Sequence, residues 1–289
     1  MKIFLIILCI IALVILVIFA ISYIQLRQFK ITTYHISKNV PKGLKGKKIC
    51  FMSDYHEAAG GVLDKQIINS IIKENPDYIL VGGDMITDSI DYEKTKNASD
   101  LLNALADRFK IFYTIGNHER RMLDPESLNR DIWEYFTKAL NPTITFLNNG
   151  RIYLNGIDSS DGTLYGLDIP TAFYGRFKHE NLTVNNVNSL IGDRRPGEYI
   201  ILLAHNPMFF KTYKEWGADL VLSGHLHGGI IRLPLLGGVI APDMTVFPKY
   251  CYGSFEEGNT RMIVTNGIGQ HTINVKVNNT PEVVMLYFD

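Results

Sequence analysis

Five short apolar runs recur along the chain: Lys48-Ile49-Cys50-Phe51-Met52, Tyr78-Ile79-Leu80-Val81, Ile111-Phe112-Tyr113-Thr114-Ile115, Tyr199-Ile200-Ile201-Leu202-Leu203 and Asp219-Leu220-Val221-Leu222. Runs this short and this continuously apolar predict strands covered on both faces. Between the first two, Leu63, Ile67, Ile68, Ile71 and Ile72 fall at helical spacing, and Asn75-Pro76 ends that helix. Further helices are predicted from Tyr92 to Arg108 and from Leu128 to Leu140, where Ile132, Trp133, Phe136 and Leu140 form the apolar side. Strands alternating with helices predict an α/β architecture. After His227 the pattern changes to glycine- and proline-rich loops with extended runs at Arg261 to Thr265 and Glu282 to Phe288, which suit a mixed sheet.

The N-terminus is patterned differently. From Ile3 to Leu26 there are 24 residues without a charge, and as a helix they would reach roughly 36 Å, enough to cross a bilayer. A cleaved signal peptide is the rival reading, but its apolar core normally runs only about 7 to 15 residues before a small-x-small site. The expected organisation is a membrane anchor over residues 1–27, a basic juxtamembrane segment over 28–47 and one catalytic domain over 48–289. Arg27, Lys30, Lys38, Lys42, Lys45, Lys47 and Lys48 come after the span, against Lys2 before it. This asymmetry favours a cytoplasmic domain lying on anionic headgroups, with a solvated basic linker as the plain alternative.

Composition narrows the classes. With 29 basic and 29 acidic residues the formal net charge is zero, so no global field points to nucleic acid as a partner. Three cysteines, Cys9, Cys50 and Cys251, make no disulfide framework.

The polar residues at the end of each apolar run carry the chemistry. The first run leads into Ser53-Asp54-Tyr55-His56, the second into Gly82-Gly83-Asp84, the third into Gly116-Asn117-His118-Glu119, the fourth into Ala204-His205-Asn206 and the fifth into Gly224-His225-Leu226-His227. Each piece alone has a structural explanation, as a helix cap, a turn or a core histidine. Five in register with five strands are expected to converge on one rim, since open α/β sheets bind ligands outside the carboxyl ends of their strands. Imidazole mixed with carboxylate suits manganese, iron or zinc, whereas magnesium or calcium asks for oxygen ligands. The absence of cysteine from the set disfavours a structural zinc cage.

The ordered series Asp54-x-His56, Gly83-Asp84, Gly116-Asn117-His118-Glu119, His205 and Gly224-His225-x-His227 resembles the calcineurin-like metallophosphoesterases. The resemblance implies a two-sheet sandwich flanked by helices and a centre of two divalent metal ions, with manganese favoured and iron or zinc as alternatives. It implies one metal held by Asp54, His56, Asp84 and His227, the other by Asp84, Asn117, His205 and His225, and His118 as the catalytic histidine. His225 and His227 would then face opposite ways because each serves a different metal. Two cations about 3.5 to 4 Å apart would make a water acidic enough to attack phosphorus. The family usually carries an aspartate three residues after the bridging one, to orient the catalytic histidine; here that position is Thr87, and the nearest carboxylate is Asp88. Either the loop shifts by one residue, or His118 lacks that partner and Asp88 is a helix cap.

The segments Gly228 to Pro234, Phe247 to Tyr250, Gly267 to Gly269 and Pro281 to Val283 are similar to a membrane-anchored branch of the family. That branch is grouped with phosphodiesterases and with UDP-diacylglucosamine hydrolases, which implies a phosphoester substrate that is lipid-linked or a nucleotide sugar. Arg232 and Lys249 are candidate phosphate contacts, against the plainer reading as solvated surface charges. Tyr153, Tyr165, Phe173, Tyr174 and Phe177 are candidates for a substrate-side wall, against the plainer reading as core aromatics. Two other functional classes stay open: a membrane-tethered metal-binding scaffold, kept alive by Thr87, and a nuclease of the same fold, opposed by the zero net charge.

Overall fold

The computed structural model describes residues 2–25, 27–56, 62–89, 91–154, 162–175, 180–229, 231–233, 237–241, 245–269 and 277–289. Helix α1 (Lys2–Gln25) is followed by strands β1 (Lys30–Ile36) and β2 (Lys48–Met52), helix α2 (Val62–Glu74), β3 (Tyr78–Val81), α3 (Tyr92–Ala106) and β4 (Lys110–Tyr113). Then come α4 (Asn117–Leu123), α5 (Arg130–Ala139), β5 (Thr145–Phe146), β6 (Gly150–Tyr153), β7 (Thr163–Leu167), α6 (Val184–Ile191), β8 (Ile200–Ala204) and α7 (Phe210–Trp216). The chain closes with β9 (Leu220–Ser223), the pair β10 (Ile231–Leu233) and β11 (Gly237–Ile240), β12 (Gly253–Glu257), β13 (Thr260–Val264) and β14 (Glu282–Phe288).

Two six-stranded sheets form, in the orders β1-β14-β2-β3-β4-β5 and β12-β13-β9-β8-β7-β6. Both are mixed: β2 to β5 run parallel with β14 antiparallel to β2, and β7, β8, β9 and β13 run parallel with β6 and β12 antiparallel at the edges. The period-two alternation of strand side chains sorts the core into three layers. Ile49, Phe51, Leu80 and Phe112 of the first sheet meet Leu164, Ile201, Leu203, Leu220, Leu222 and Ile263 of the second. Cys50, Met52, Ile79, Val81, Ile111 and Tyr113 point the other way, onto Ile67 and Ile71 of α2, Leu101, Leu102 and Leu105 of α3 and Ile132 and Phe136 of α5. On the far side, Ile200, Leu202, Val221 and Met262 cover Val187 of α6 and Phe210, Tyr213 and Trp216 of α7. The two-sheet sandwich flanked by helices is therefore present, and the runs read as continuously apolar because both faces of each strand are buried.

The predicted strands and helices all form, with ends displaced by a residue or two. Lys30–Ile36, inside the basic segment, is a strand that pairs in parallel with β14 from Lys30↔Glu282 to Ile36↔Phe288. Several of the basic residues near the span are engaged by the domain: Lys47 Nζ lies 2.8 Å from Asp77 Oδ1 and Lys48 Nζ 3.3 Å from Glu74 Oε2. Helix α1 is long and apolar enough to cross a membrane, and a signal sequence near the N-terminus would have the same character. Leu26, where the apolar run ends, lies outside the described residues, as do Phe177 and Pro234.

Candidate metal centre

Asp54 and His56 lie just after β2, Asp84 after β3, Asn117 and His118 at the opening of α4 beyond β4, His205 after β8, and His225 and His227 after β9. The carboxyl ends of both sheets thus deliver their polar side chains to one place. All of these residues are buried except His225, which is half-buried.

The loops hold an unusual backbone. Asp54, His56, Asp84, His225 and His227 have φ of 54°, 47°, 53°, 72° and 51°. A non-glycine residue in that left-handed region costs on the order of 1–3 kcal/mol and persists only where its surroundings enforce it. Here Asp54 N donates to Gly83 O at 3.0 Å, His56 N to Asp84 O at 3.2 Å and Gly224 N to His205 O at 3.1 Å. Glycine is required where these loops touch: a Cβ on Gly224 would strike the Asp54 carboxylate, and one on Gly116 the Asp84 carboxylate.

Three groups of side chains bring their donor atoms within 4.8 Å of one another and could hold a metal ion: Asp54, His56 and His227; His56, Asp84 and His118; and Asp84, His205 and His225. In the first, His227 Nε2 lies 3.4 Å from Asp54 Oδ1 and 2.9 Å from His56 Nε2. In the third, His205 Nε2 lies 3.0 Å from Asp84 Oδ2. His205 Nδ1 donates to Gly82 O at 2.7 Å, which turns Nε2 inward. Asp54 accepts from His225 N at 3.0 Å, and Asp84 Oδ1 from His118 N at 2.9 Å.

Asn117 tests whether these residues fit a cation. With its carbonyl oxygen turned inward, that oxygen sits 2.7 Å from His225 Nδ1 and 3.3 Å from Asp84 Oδ2, facing acceptors alone; the reversed amide would donate to both and accept from Arg121 Nη2 at 3.1 Å. A cation drawing on Asn117 Oδ1, His225 Nδ1 and Asp84 Oδ2 would satisfy the first orientation, and the amide hydrogen bonds satisfy the second. His225 and His227 separate into different groups as expected, but through left-handed turns and not through the alternation of an extended strand.

Charge is concentrated here. Burial works against ionising Asp84, yet His205, His118 and His56 outweigh it and hold its carboxyl well below the usual range. Burial also opposes a charged His205, but Asp84 and Asp54 raise it to about 9. Burial, helped by the charge of His205, pushes His225 down to about 3, and burial lifts Asp54 to about 6. A site that holds carboxylate charge deep in the protein is one prepared for positive charge.

His118 Nδ1 lies 2.7 Å from Asp88 Oδ1. The partner of His118 is therefore the aspartate one position beyond Thr87, whose own hydroxyl contacts Ser89 Oγ at 2.5 Å. Despite partial burial, the bond from His118 and the charge of Arg121 hold Asp88 down at about 2. Arg121, which no sequence pattern singled out, places Nη1 3.5 Å from Asp88 Oδ2 and keeps 41% of its side chain exposed. It lies one helical turn after Asn117 and His118, a spacing that could have revealed it. Of the suspected wall aromatics, Tyr174 stands against His225 and His205, with ring centroids 5.2 and 6.3 Å away. Tyr165 and Phe173 are core residues. Arg232 stacks on Tyr252 at 3.9 Å and Lys249 reaches Glu257 at 3.5 Å, so both have protein partners.

Glu119 ties the loops together. Its carboxylate accepts from Asp84 N at 2.9 Å, Met85 N at 2.8 Å, Gly116 N at 3.0 Å and Tyr113 Oη at 2.7 Å, fully buried. Glu119→Gln sets an amide N–H against donors and is expected to cost about 1–3 kcal/mol, the range for a buried unsatisfied group. The denaturant midpoint of the purified full chain measures it; an unchanged midpoint would contradict this role.

With this geometry in place, the comparisons give the class. Residues 47–229 match the family model described as calcineurin-like phosphoesterase. An uncharacterised metallophosphoesterase of Bacillus subtilis, YkuE, is 28% identical over 258 residues, covering 88% of this chain and 84% of its own. The phosphodiesterase YaeI of Escherichia coli is 30% identical over 249 residues, covering 83% of this chain and 81% of its own. An uncharacterised metallophosphoesterase of Helicobacter pylori is 31% identical over 232 residues; the match covers 78% of this chain and 55% of that longer protein. The chain belongs to the calcineurin-like phosphoesterases and is a hydrolase of that metal-dependent class.

Proposed function

We propose that the chain is a membrane-anchored phosphodiesterase or pyrophosphatase working through two divalent cations, on a lipid-linked or nucleotide-sugar substrate such as UDP-diacylglucosamine. The observation that carries the reading is the place of Asp84 between two groups: its Oδ2 lies 3.9 Å from His56 Nε2, which belongs to the group with Asp54 and His227, and 3.0 Å from His205 Nε2, which belongs to the group with His225. In this assignment Asp54, His56, Asp84 and His227 hold one cation and Asp84, Asn117, His205 and His225 the other, with manganese the first choice and iron or zinc the alternatives. Cations bound there would acidify a water and offset charge on the phosphoryl oxygens. His118 is the catalytic histidine: with Nδ1 engaged by Asp88, it carries on Nε2 the proton passed to the leaving oxygen as the P–O bond breaks. The Asp88 contact speaks against a scaffold that has lost turnover, because it gives His118 the carboxylate partner that Thr87 does not. The zero net charge speaks against a nucleic-acid substrate.

Arg121, beside His118 and open to solvent, is assigned to a nonbridging oxygen of the substrate. Arg121→Ala is expected to raise KM roughly tenfold, the lower end for a hydrogen bond to a charged group, with a smaller change in kcat. An unchanged KM would remove Arg121 from the site. The function itself is tested on the full chain in detergent, by manganese stoichiometry and by turnover of an artificial phosphodiester and a pyrophosphate. Two manganese ions per chain with metal-dependent turnover is the expected result. Full turnover with a single ion would overturn the two-metal reading.

A further inference from the structure

Asn279 connects the N-terminal helix to the loop that carries His227. Its side chain is buried, and Nδ2 donates to His227 O and to Gly229 O, each at 2.6 Å. Its Oδ1 accepts from Asn266 Nδ2 at 2.6 Å, and Asn266 Nδ2 also reaches Thr280 O at 2.7 Å. The orientation of the amide is thus set from both ends. On the main chain, Asn279 N donates to Gln25 Oε1, in the last residue of α1, at 3.1 Å.

These bonds have a specific task. His227 and Gly229 lie outside helix and sheet, and the donor their carbonyls find is the Asn279 side chain. His227 is held at φ 51° and Gly228 at 68°, and a Cβ on Gly228 would come within 2.8 Å of Asn279 Oδ1. If the clamp is lost, His227 can relax to negative φ and its ring leaves Asp54 and His56. We infer that Asn279 is a positioning residue through which the seating of α1 sets the geometry of the metal centre: Gln25 holds the backbone of Asn279, and Asn279 holds the loop that presents His227.

The inference rests on the two-metal reading and makes a claim that reading does not contain: the end of the helix tunes one of the two metal positions more than the other. Manganese binding by calorimetry on the full chain in detergent separates them. Asn279→Asp keeps shape but loses the donor, and is expected to weaken the Asp54–His56–His227 position roughly 10- to 100-fold, the usual cost of removing a partner behind a ligand, leaving the other within about threefold. Gln25→Ala should weaken the same position roughly threefold, in line with one lost hydrogen bond, while Gln25→Glu, which keeps an acceptor, should retain parental affinity. Thermal unfolding in chelator checks that each variant is folded; if Asn279→Asp is not, the two Gln25 variants still decide. Parental affinity in Asn279→Asp, or in Gln25→Ala, overturns the coupling, as does equal weakening of both positions. A parent chain that binds no manganese would instead remove the two-metal reading itself.

Discussion

Asp84→Asn is expected to abolish phosphoester hydrolysis while the protein stays folded. Asn keeps an oxygen that can accept from His118 N, now 2.9 Å from Asp84 Oδ1, so the entry into α4 is preserved. The substitution removes the negative charge that two candidate ligand groups share, and that the surrounding histidines keep ionised against burial. In the proposed mechanism both cation positions weaken together. Charge stabilisation of several kcal/mol corresponds to at least about 10³-fold in turnover at 1.4 kcal/mol per decade. The measurement is turnover of an artificial phosphodiester with manganese, alongside metal content and the circular dichroism spectrum. Parental turnover would sink the two-metal reading. Loss of turnover with both manganese ions bound at parental affinity would be contrary to a shared ligand.

The sequence revealed the strands because each is buried twice. Ile49 and Phe51 face the second sheet while Cys50 and Met52 face helices, and no polar position interrupts the run. β1 escaped notice for the opposite reason: Lys30-Ile31-Thr32-Thr33-Tyr34-His35-Ile36 is an edge strand with mixed exposure, and its basic residue invited a different explanation. The ligand-type residues were legible because they sit at strand ends, where chain order and spatial position coincide. The roles of Glu119 and Asn279 come from contacts between distant segments. Asn279 lies 52 residues from the His227 carbonyl it holds, and no local pattern reports such a contact. The Thr87 question was undecidable from spacing, because a one-residue shift depends on the path of the loop. The left-handed backbone at five of the site residues was likewise invisible: aspartate and histidine adopt positive φ more often than most residues, but that preference alone marks no particular position.

His118→Asn should lower kcat roughly 10²–10⁴-fold, the usual contribution of a positioned proton donor, and Asp88→Asn should move the pH dependence in a direction fixed by the contact. Burial pulls the His118 pKa down, but Asp84 and Asp88 more than compensate and raise it above 6.5. A raised histidine stays protonated to higher pH, so its stabilising pair with Asp88 is fully present below about 6.5 and fades as pH rises through the folded-state value. Asp88 is depressed to about 2, so its side of the pair is present above the ordinary aspartate value and is lost only as pH falls toward 2. Between these limits His118 holds its proton and Asp88 its charge. Asp88→Asn removes one of the two carboxylates that raise His118, and the alkaline limb of kcat should shift to lower pH. At a pH above both the parental and the new limb, kcat is lower than the parent's by about tenfold for each unit of the shift. A merely structural Asp88 would lower activity uniformly across pH. An alkaline limb that stays in place in Asp88→Asn would show that His118 does not donate the proton, and would assign that step to another group.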